Sequence, residues 1–421
     1  MTKCTILTIG DELLIGQVID TNSAWIAQKL NAHGISVQSR IAVGDDETQI
    51  ISALQQAEQQ SEIIFITGGL GGTLDDITKK VLCTYFNSRL ILHEPTLTHI
   101  RNLFEQKFKR APMETNLSQA YVPENCIVLP NQRGSAPGML FERNEKRFFS
   151  LPGVPLEMEG IVEEEIVPFL RKHYPQTAIQ HRTLLCYGIS ESALAAHIHE
   201  LEISLPTHIS LAYLPAYGQI RLRLSTKEEV EKPEAGLLDE AFDKLKQSVA
   251  PWLVVDEDIS MVEVVSNLLK QKNKTISTAE SCTGGYIAHQ FTSLPGSSAY
   301  FEGSVVSYSY PAKEKLLGVK KETLETKGAV SEAVVIEMAR GILKNLNTDY
   351  ALAVSGIMGP GGGMPGKPVG TVWIAVGSAQ KIDTRMFTLH HDRINNIKQT
   401  AIHALNQIRR FILEENTKGT G

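Results

Sequence analysis

The chain has 421 residues, of which 42% are hydrophobic and 21% are charged, as is usual for a globular protein with two or three domains. The formal net charge of -6 argues against a general nucleic-acid binder, because such proteins carry a surplus of basic residues. No apolar run is long enough to span a membrane and no signal peptide is evident, so we expect a cytoplasmic protein.

Five cysteines are scattered along the chain, at Cys4, Cys83, Cys126, Cys186 and Cys282. None belongs to a C-x-x-C pair, and their number is odd. This pattern argues against a disulfide framework or a zinc site and fits a reducing compartment.

The first part of the chain, up to about residue 170, alternates strand and helix patterns. Strands are predicted over Ser36–Val43 and Glu62–Thr67, and helices over Asn22–His33 and Asp45–Gln60. Such alternation favours a parallel sheet with helices on both faces.

A glycine-rich turn follows the strand Glu62–Thr67, and Asp75 and Asp76 come directly after it. Glycine N–H groups can surround an anion, and paired carboxylates can hold a divalent cation. The turn is equally well explained as a structural one, with the two aspartates starting a helix where negative charge is favoured.

Several motifs of this part resemble, in the same order, the molybdopterin-binding (MoaB/MogA-like) domain that opens CinA family proteins: GDELLxGxxxDTN, VGDDE, TGGLGxTxDDIT, PNxxGSAPG and LPGVPxEM. The resemblance implies a three-layer α/β/α domain over residues 1–172. It also implies a pocket lined by Asp11, Glu12, Asp20, Asn22, Gly68, Gly69, Asp75 and Asp76, with Asp75 and Asp76 as metal-ligand candidates. Some members of this domain family hydrolyse ADP-ribose with metal ions.

The middle part, residues 178–255, has a strand, a helix, a hairpin and a second helix around Pro233–Val249, with the charged stretch TKEEVEKPEAG as a solvated loop. It resembles the small α+β KH-like domain of full-length CinA proteins. No GXXG loop is evident and the net charge is negative, so we expect a spacer or dimer element and not a nucleic-acid binder.

The third part, residues 258–415, again alternates helices and strands. Strands are predicted over Thr275–Ala279, Tyr350–Val354 and Thr371–Val376, and a long final helix over Ile394–Glu414. This pattern predicts another α/β unit.

Ser297 and Ser298 follow Gly296 in a predicted loop, and Lys313 is the nearest candidate base along the chain. A strand over Gly303–Tyr308 and a turn at Pro311 could return Lys313 toward Ser298. Neutral lysine can activate serine for acyl transfer on an amide, provided that burial lowers its pKa. Taken alone, the serine turn is more often structural and the lysine solvated.

Four segments of the third part resemble the C-terminal nicotinamide-nucleotide amidase domain of the CinA family: AESCTGG, PGSSxYFxGxxxxYSxxAK, GAVS and SGIxGPGGGxPxKPVGTV. The resemblance implies hydrolysis of nicotinamide mononucleotide to nicotinic acid mononucleotide and ammonia, without a cofactor. It implies Ser298 as nucleophile, with Tyr308 and Lys313 as catalytic partners. The implied substrate-binding residues are Glu280, Ser281, Thr283, Gly284, Ser331, Gly356, Gly359, Pro360 and Arg393. Arg393 would meet the phosphate, although a surface arginine that caps the last helix is as good an interpretation.

The favoured hypothesis is therefore a CinA-like amidase that recycles pyridine nucleotides. One alternative is a metal-dependent ADP-ribose pyrophosphatase in the first domain, and another is a non-catalytic nucleotide- or pterin-binding regulator. We expect a small-molecule nucleotide as substrate, a homodimer, and no membrane partner.

Overall fold

The computed structural model describes residues 2–72, 76–174, 180–226 and 236–418. The chain divides into two compact units, Met1–Gln180 and His181–Gly421. Each hydrophobic cluster is formed by residues of one unit only. Across the described ranges, no helix combines the length and the apolar character needed to cross a membrane.

The first unit contains eight strands and eight α-helices in its described residues. The strands are β1 (Lys3–Ile9), β2 (Ser36–Val43), β3 (Ile63–Thr67), β4 (Leu90–Leu92), β5 (Tyr121–Pro123), β6 (Ile127–Leu129), β7 (Gly138–Arg143) and β8 (Lys146–Leu151). The helices are α1 (Asp11–Leu14), α2 (Thr21–Ala32), α3 (Glu47–Gln60), α4 (Thr78–Tyr85), α5 (Glu94–Leu103), α6 (Glu114–Leu117), α7 (Pro155–Ile161) and α8 (Val167–His173).

Six strands of this unit form one sheet in the order β2-β1-β3-β8-β7-β6. The first four are parallel, and β7 and β6 join antiparallel at one edge. Separate apolar clusters cover the two faces, one with α2, α7 and α8 and the other with α3 and α4. The expected three-layer α/β/α architecture is confirmed, and β2 has the predicted bounds.

The middle part of the chain lies in the second unit. It consists of β9 (His181–Tyr187), α9 (Glu191–Ile203), β10 (Ile209–Ala216), β11 (Gln219–Thr226), α10 (Leu237–Ser248) and β12 (Leu253–Val255). The sheet order is β10-β11-β9-β12, with all pairs antiparallel.

The hairpin predicted in this part is confirmed by the pairing of β10 with β11. Its two turn residues, Tyr217 and Gly218, have φ of 49° and 83°, as a two-residue turn that matches the twist of the strands requires. Residues 227–235, which form most of the charged stretch predicted as a loop, are outside the described ranges.

The rest of the second unit is a second α/β/α sandwich. Its strands are β13 (Ile276–Glu280), β14 (Phe301–Val306), β15 (Tyr350–Gly356), β16 (Thr371–Gly377) and β17 (Ile382–Thr388). Its helices are α11 (Met261–Lys272), α12 (Tyr286–Thr292), α13 (Tyr310–Leu317), α14 (Lys321–Lys327), α15 (Glu332–Leu346) and α16 (Arg393–Lys418).

These five strands are ordered β14-β13-β15-β16-β17, and the first three are parallel. Helix α15 covers one face, while α11, α12 and α16 cover the other. Because carboxyl ends of parallel strands meet at one edge of a sheet, the residues that follow β13, β14 and β15 are brought together there.

Candidate active site

A serine and a lysine meet at the carboxyl edge of this second sheet. Ser281 directly follows β13, and Lys313 lies early in α13. The Lys313 Nζ atom lies 2.9 Å from Ser281 Oγ and 2.6 Å from the carbonyl oxygen of Ser307. Lys313 has no solvent exposure, so this contact is shielded from water.

Burial lowers the pKa of Lys313 from 10.5 to about 8, opposed only by the neighbouring Cys282. A neutral amine has one lone pair and two N–H donors. It can accept the hydroxyl proton of Ser281 while it donates to Ser307. The pair therefore has the geometry and the chemistry of a serine activated by a lysine base.

A cavity of about 160 Å³ opens beside this pair. Its lining residues are Ser281, Cys282, Tyr308, Lys313, Ala329, Val330, Ser355, Gly356, Met358 and Arg393. Such a concave site with a few convergent polar groups is the usual setting of small-molecule chemistry.

Arg393 places a cation at this cavity. Its guanidinium donates to the Tyr308 hydroxyl at 2.9 Å and to the Gly359 carbonyl at 2.8 Å. Tyr308 is largely exposed, so the arginine and the tyrosine form the outer part of the cavity. A guanidinium in this position can receive an anionic substrate group.

Ser298 is not part of this arrangement. It lies in a short 3₁₀ helix, Ser297–Ala299, that precedes β14, whereas Ser307 and Lys313 follow that strand. Six residues of strand span about 20 Å. The structure therefore places Ser298 at the opposite edge of the sheet, where its exposed side chain does not pair with Lys313.

The predicted turn at Pro311 is also corrected. Pro311 occupies the first turn of α13, where proline is well tolerated, and Ser309 caps this helix through the Ala312 N–H. Because the chain continues as helix α13 after Pro311, the Lys313 side chain meets Ser281. Ser281 had been predicted as a substrate-binding residue.

Three other predicted substrate-binding residues support the turn after β13 instead of lining the cavity. Glu280 is fully buried and accepts hydrogen bonds from Thr283 Oγ1 at 2.7 Å and from three backbone N–H groups. Gly284 has φ of +62°, which favours glycine. Glu280 thus holds the peptide that carries Ser281.

The remaining predicted binding residues differ in their relation to the cavity. Gly356 lines it directly, and Gly359 contributes the carbonyl that accepts from Arg393. Pro360 follows Gly359 and does not line the cavity. Ser331 directly precedes α15 and does not line the cavity, and its hydroxyl donates to the Gly328 carbonyl at 2.9 Å.

Sequence reasoning missed the cavity residues Cys282, Ala329, Val330, Ser355 and Met358. All five lie in the motifs AESCTGG, GAVS and SGIMGP. Their position in these motifs was therefore the sequence signal that could have identified them as cavity residues. Burial raises the pKa of Cys282 to about 12, which keeps the thiol protonated beside Ser281.

The first unit has its own pocket of about 350 Å³. Six of the eight residues predicted there line it: Glu12, Asp20, Asn22, Gly68, Gly69 and Asp76. Asp11 instead exchanges hydrogen bonds with Asp45 through their backbone N–H groups and side chains. Asp75 lies outside the described residues.

Among the described residues, no three acidic, histidine or cysteine side chains lie close enough together to hold a metal ion. Asp75, one of the two predicted metal ligands, is outside these residues, so the metal site stays a prediction. Asp20 caps α2 by accepting from Ser23. Asp76 accepts from the Gly71 N–H at 2.9 Å. Gly68 has φ of +112°, and a Cβ there would lie 2.1 Å from the Ile9 carbonyl oxygen, so only glycine fits.

Comparison with known families matches three parts of the chain. Residues 5–172 match a probable molybdopterin binding domain, residues 181–253 the KH domain of damage-inducible protein CinA, and residues 258–412 the CinA C-terminal domain.

Similar proteins extend over almost the whole chain. A CinA-like protein of Flavobacterium psychrophilum is 43% identical over 420 residues, which covers 99% of this chain and 100% of that protein. A putative competence-damage inducible protein of Caldicellulosiruptor bescii is 38% identical, covering 97% of this chain and 99% of its own length. A solved CinA superfamily protein from Klebsiella pneumoniae is 34% identical, covering 37% of this chain and 99% of that one, with a TM-score of 0.36.

Proposed function

Because this chain belongs to the CinA family, we propose that its C-terminal domain hydrolyses the carboxamide of nicotinamide mononucleotide with Ser281 as the nucleophile. The observation that carries the proposal is the buried contact of 2.9 Å between Lys313 Nζ and Ser281 Oγ beside a cavity. A residue set of this kind serves acyl transfer, and a purely binding protein has no use for a lysine base beside a serine.

The reaction takes place in two acyl-transfer steps. Lys313 takes the hydroxyl proton of Ser281, whose Oγ attacks the carboxamide carbon. The C–N bond then breaks, and the Lys313 ammonium returns the proton to the leaving ammonia. A water molecule gives a proton to Lys313 and attacks the ester. The ester C–O bond breaks, Ser281 recovers its proton, and the carboxylic acid ionises.

The polarity of the cavity supports a nucleotide as substrate. Arg393 and Tyr308 stand at its outer part, where the arginine can bind the phosphate. Ser281 and Lys313 stand at its inner part, where the carboxamide would react. The expected substrate therefore carries its amide and its anionic group at opposite ends.

The test of this proposal is ammonia release from nicotinamide mononucleotide by purified variants. Ser281→Ala and Lys313→Ala should each lower kcat by about 10³-fold or more, because each removes a member of a unit that acts together. The product is identified as nicotinic acid mononucleotide by chromatography.

Two matched controls come from the same elements. Ser298→Ala should keep the activity, since this serine lies at the other edge of the sheet. Lys315→Ala should do so as well, since Lys315 is an exposed lysine of the same helix. Loss of activity in Ser298→Ala together with full activity in Ser281→Ala would refute the assignment.

A second candidate function concerns the pocket of the first unit. We propose that it binds a nucleotide or pterin, since the buried Asn22 Oδ1 atom has no hydrogen-bond partner among the described residues and Asn22 lines the pocket. Metal-dependent hydrolysis of ADP-ribose stays a prediction.

A further inference from the structure

A second cavity of the unit His181–Gly421 lies apart from the candidate active site. It has a volume of about 260 Å³ and is bounded by the end of β9, the edge strand β17 and one face of α16. It shares no lining residue with the Ser281 cavity. His403, which lines it, lies ten residues after Arg393, or about 15 Å along the helix.

Aromatic rings form part of the wall. The Phe387 ring stacks on the His403 imidazole, with centroids 4.3 Å apart and planes 4° apart. Tyr187 meets the same imidazole edge-on, and its hydroxyl lies 2.5 Å from His403 Nδ1. The ring of Phe411 is a further member of the wall. Aromatic side chains can contact a planar nucleobase of any identity.

The buried side chain of Gln407 lines the cavity and has an acceptor without a partner among the described residues. Gln407 is 7% exposed, and its Nε2 donates to the carbonyl and the carboxylate of Asp383. No described residue donates to Gln407 Oε1. Since buried polar atoms are almost always paired, this acceptor indicates a ligand that carries an N–H donor. Glutamine pairs with the exocyclic amino group of a base in this way.

Guanidinium groups stand at the rim. Arg385 and Arg410 line the cavity and are exposed. Among the described residues Arg385 forms no ion pair and lies over the Phe387 ring, 5.0 Å from its centroid. Arg410 forms an ion pair of 3.4 Å with Glu414, which also lines the cavity, and both of these side chains are 58% exposed. Burial and the charge of Arg385 lower the pKa of His403 to about 4, so the imidazole is neutral and does not contribute charge. The exposed arginines are placed to meet a phosphate.

From these three features we infer that this cavity is a binding site for a nucleoside monophosphate, with the base against the rings and Gln407 and the phosphate between Arg385 and Arg410. The inference does not depend on the proposed amidase reaction, since it uses none of the residues assigned to that reaction.

Isothermal titration calorimetry of the full-length protein with adenosine monophosphate tests whether the cavity binds a nucleoside monophosphate. We expect saturable binding, and Arg385→Ala and Gln407→Leu should each raise the dissociation constant by about tenfold or more. Ribose 5-phosphate should bind more weakly than adenosine monophosphate, because it lacks the base. Arg340→Ala, an exposed arginine on α15, serves as the matched control and should bind like the unchanged protein.

Gln407→Leu keeps the side-chain volume, and Arg385 is exposed, so both variants should keep the circular dichroism spectrum of the parent. Absence of saturable binding at millimolar ligand would overturn the inference. So would unchanged binding in both variants, or binding that disappears in Arg393→Ala but not in Arg385→Ala, because the ligand would then occupy the Ser281 cavity.

Discussion

At the scale of single residues, two lysines show why a lowered pKa alone does not make a catalytic base. Burial lowers the pKa of Lys79 in the first unit to about 8, as it does for Lys313. Lys79 donates to two backbone carbonyls, of Gln119 and Tyr121, which can only accept a hydrogen bond. Lys313 has a hydroxyl beside it, which supplies a proton and becomes a nucleophile.

The rate of ammonia release should follow the titration of Lys313. The amine must be neutral to take a proton, and burial lowers its pKa to about 8, so kcat/KM should rise with pH and level off above about pH 8. The measurement is a pH profile between pH 6 and pH 10 with substrate well below KM.

Lys313→Arg is the control for this prediction. Arginine stays charged over the whole range, so the variant should be inactive at every pH although the positive charge is retained. A profile that falls with rising pH through about 8 would contradict the role of Lys313 as a base.

At the scale of elements, the strand-turn-helix segment from β13 to α12 determines where Ser281 stands. Glu280 is the last residue of β13, and its carboxylate binds N–H groups of Gly285, Ile287 and Ala288 at the start of α12. Negative charge is favoured at a helix N-terminus, where these N–H groups have no partner within the helix. Strand and helix are thus joined through one side chain.

Removing that carboxylate should destabilise the unit. Glu280→Ala leaves several buried donors without a partner, and we expect a loss of about 3 kcal/mol in the free energy of unfolding. Thr283→Val removes one donor and should lose about 1 kcal/mol. Urea-induced unfolding measures both, and equal midpoints for Glu280→Ala and the parent would contradict this role of Glu280.

Helices and strands with clear periodicity could be predicted closely from sequence. The predicted strand Ser36–Val43 matches β2, and the predicted final helix begins one residue after the observed start of α16 at Arg393. The predicted first residues of helices were less accurate, because helix capping depends on side-chain geometry. Asp20 caps α2, which begins at Thr21, one residue before the predicted start at Asn22.

At the scale of the whole molecule, the two compact units have separate hydrophobic cores. Residues 181–421 should therefore fold and release ammonia from nicotinamide mononucleotide without residues 1–180. The measurement is kcat/KM of the truncated protein. We expect a value within about threefold of that of the full chain, which corresponds to less than about 1 kcal/mol in the activation free energy. A folded but inactive fragment would show that the first unit contributes to the reaction.

The expected homodimer stays a prediction.

Local sequence patterns were sufficient to predict the family, the order of the domains and the α/β/α layers, because periodicity and motif order are properties of the amino-acid sequence itself. Which serine meets Lys313 is a different kind of question, since it depends on the edge of the sheet at which each residue emerges. Ser298 is nearer in sequence, but β14 runs between it and Lys313, whereas Ser281 follows the neighbouring parallel strand and arrives at the same edge. Strand pairing between distant segments, which no local pattern contains, made that selection.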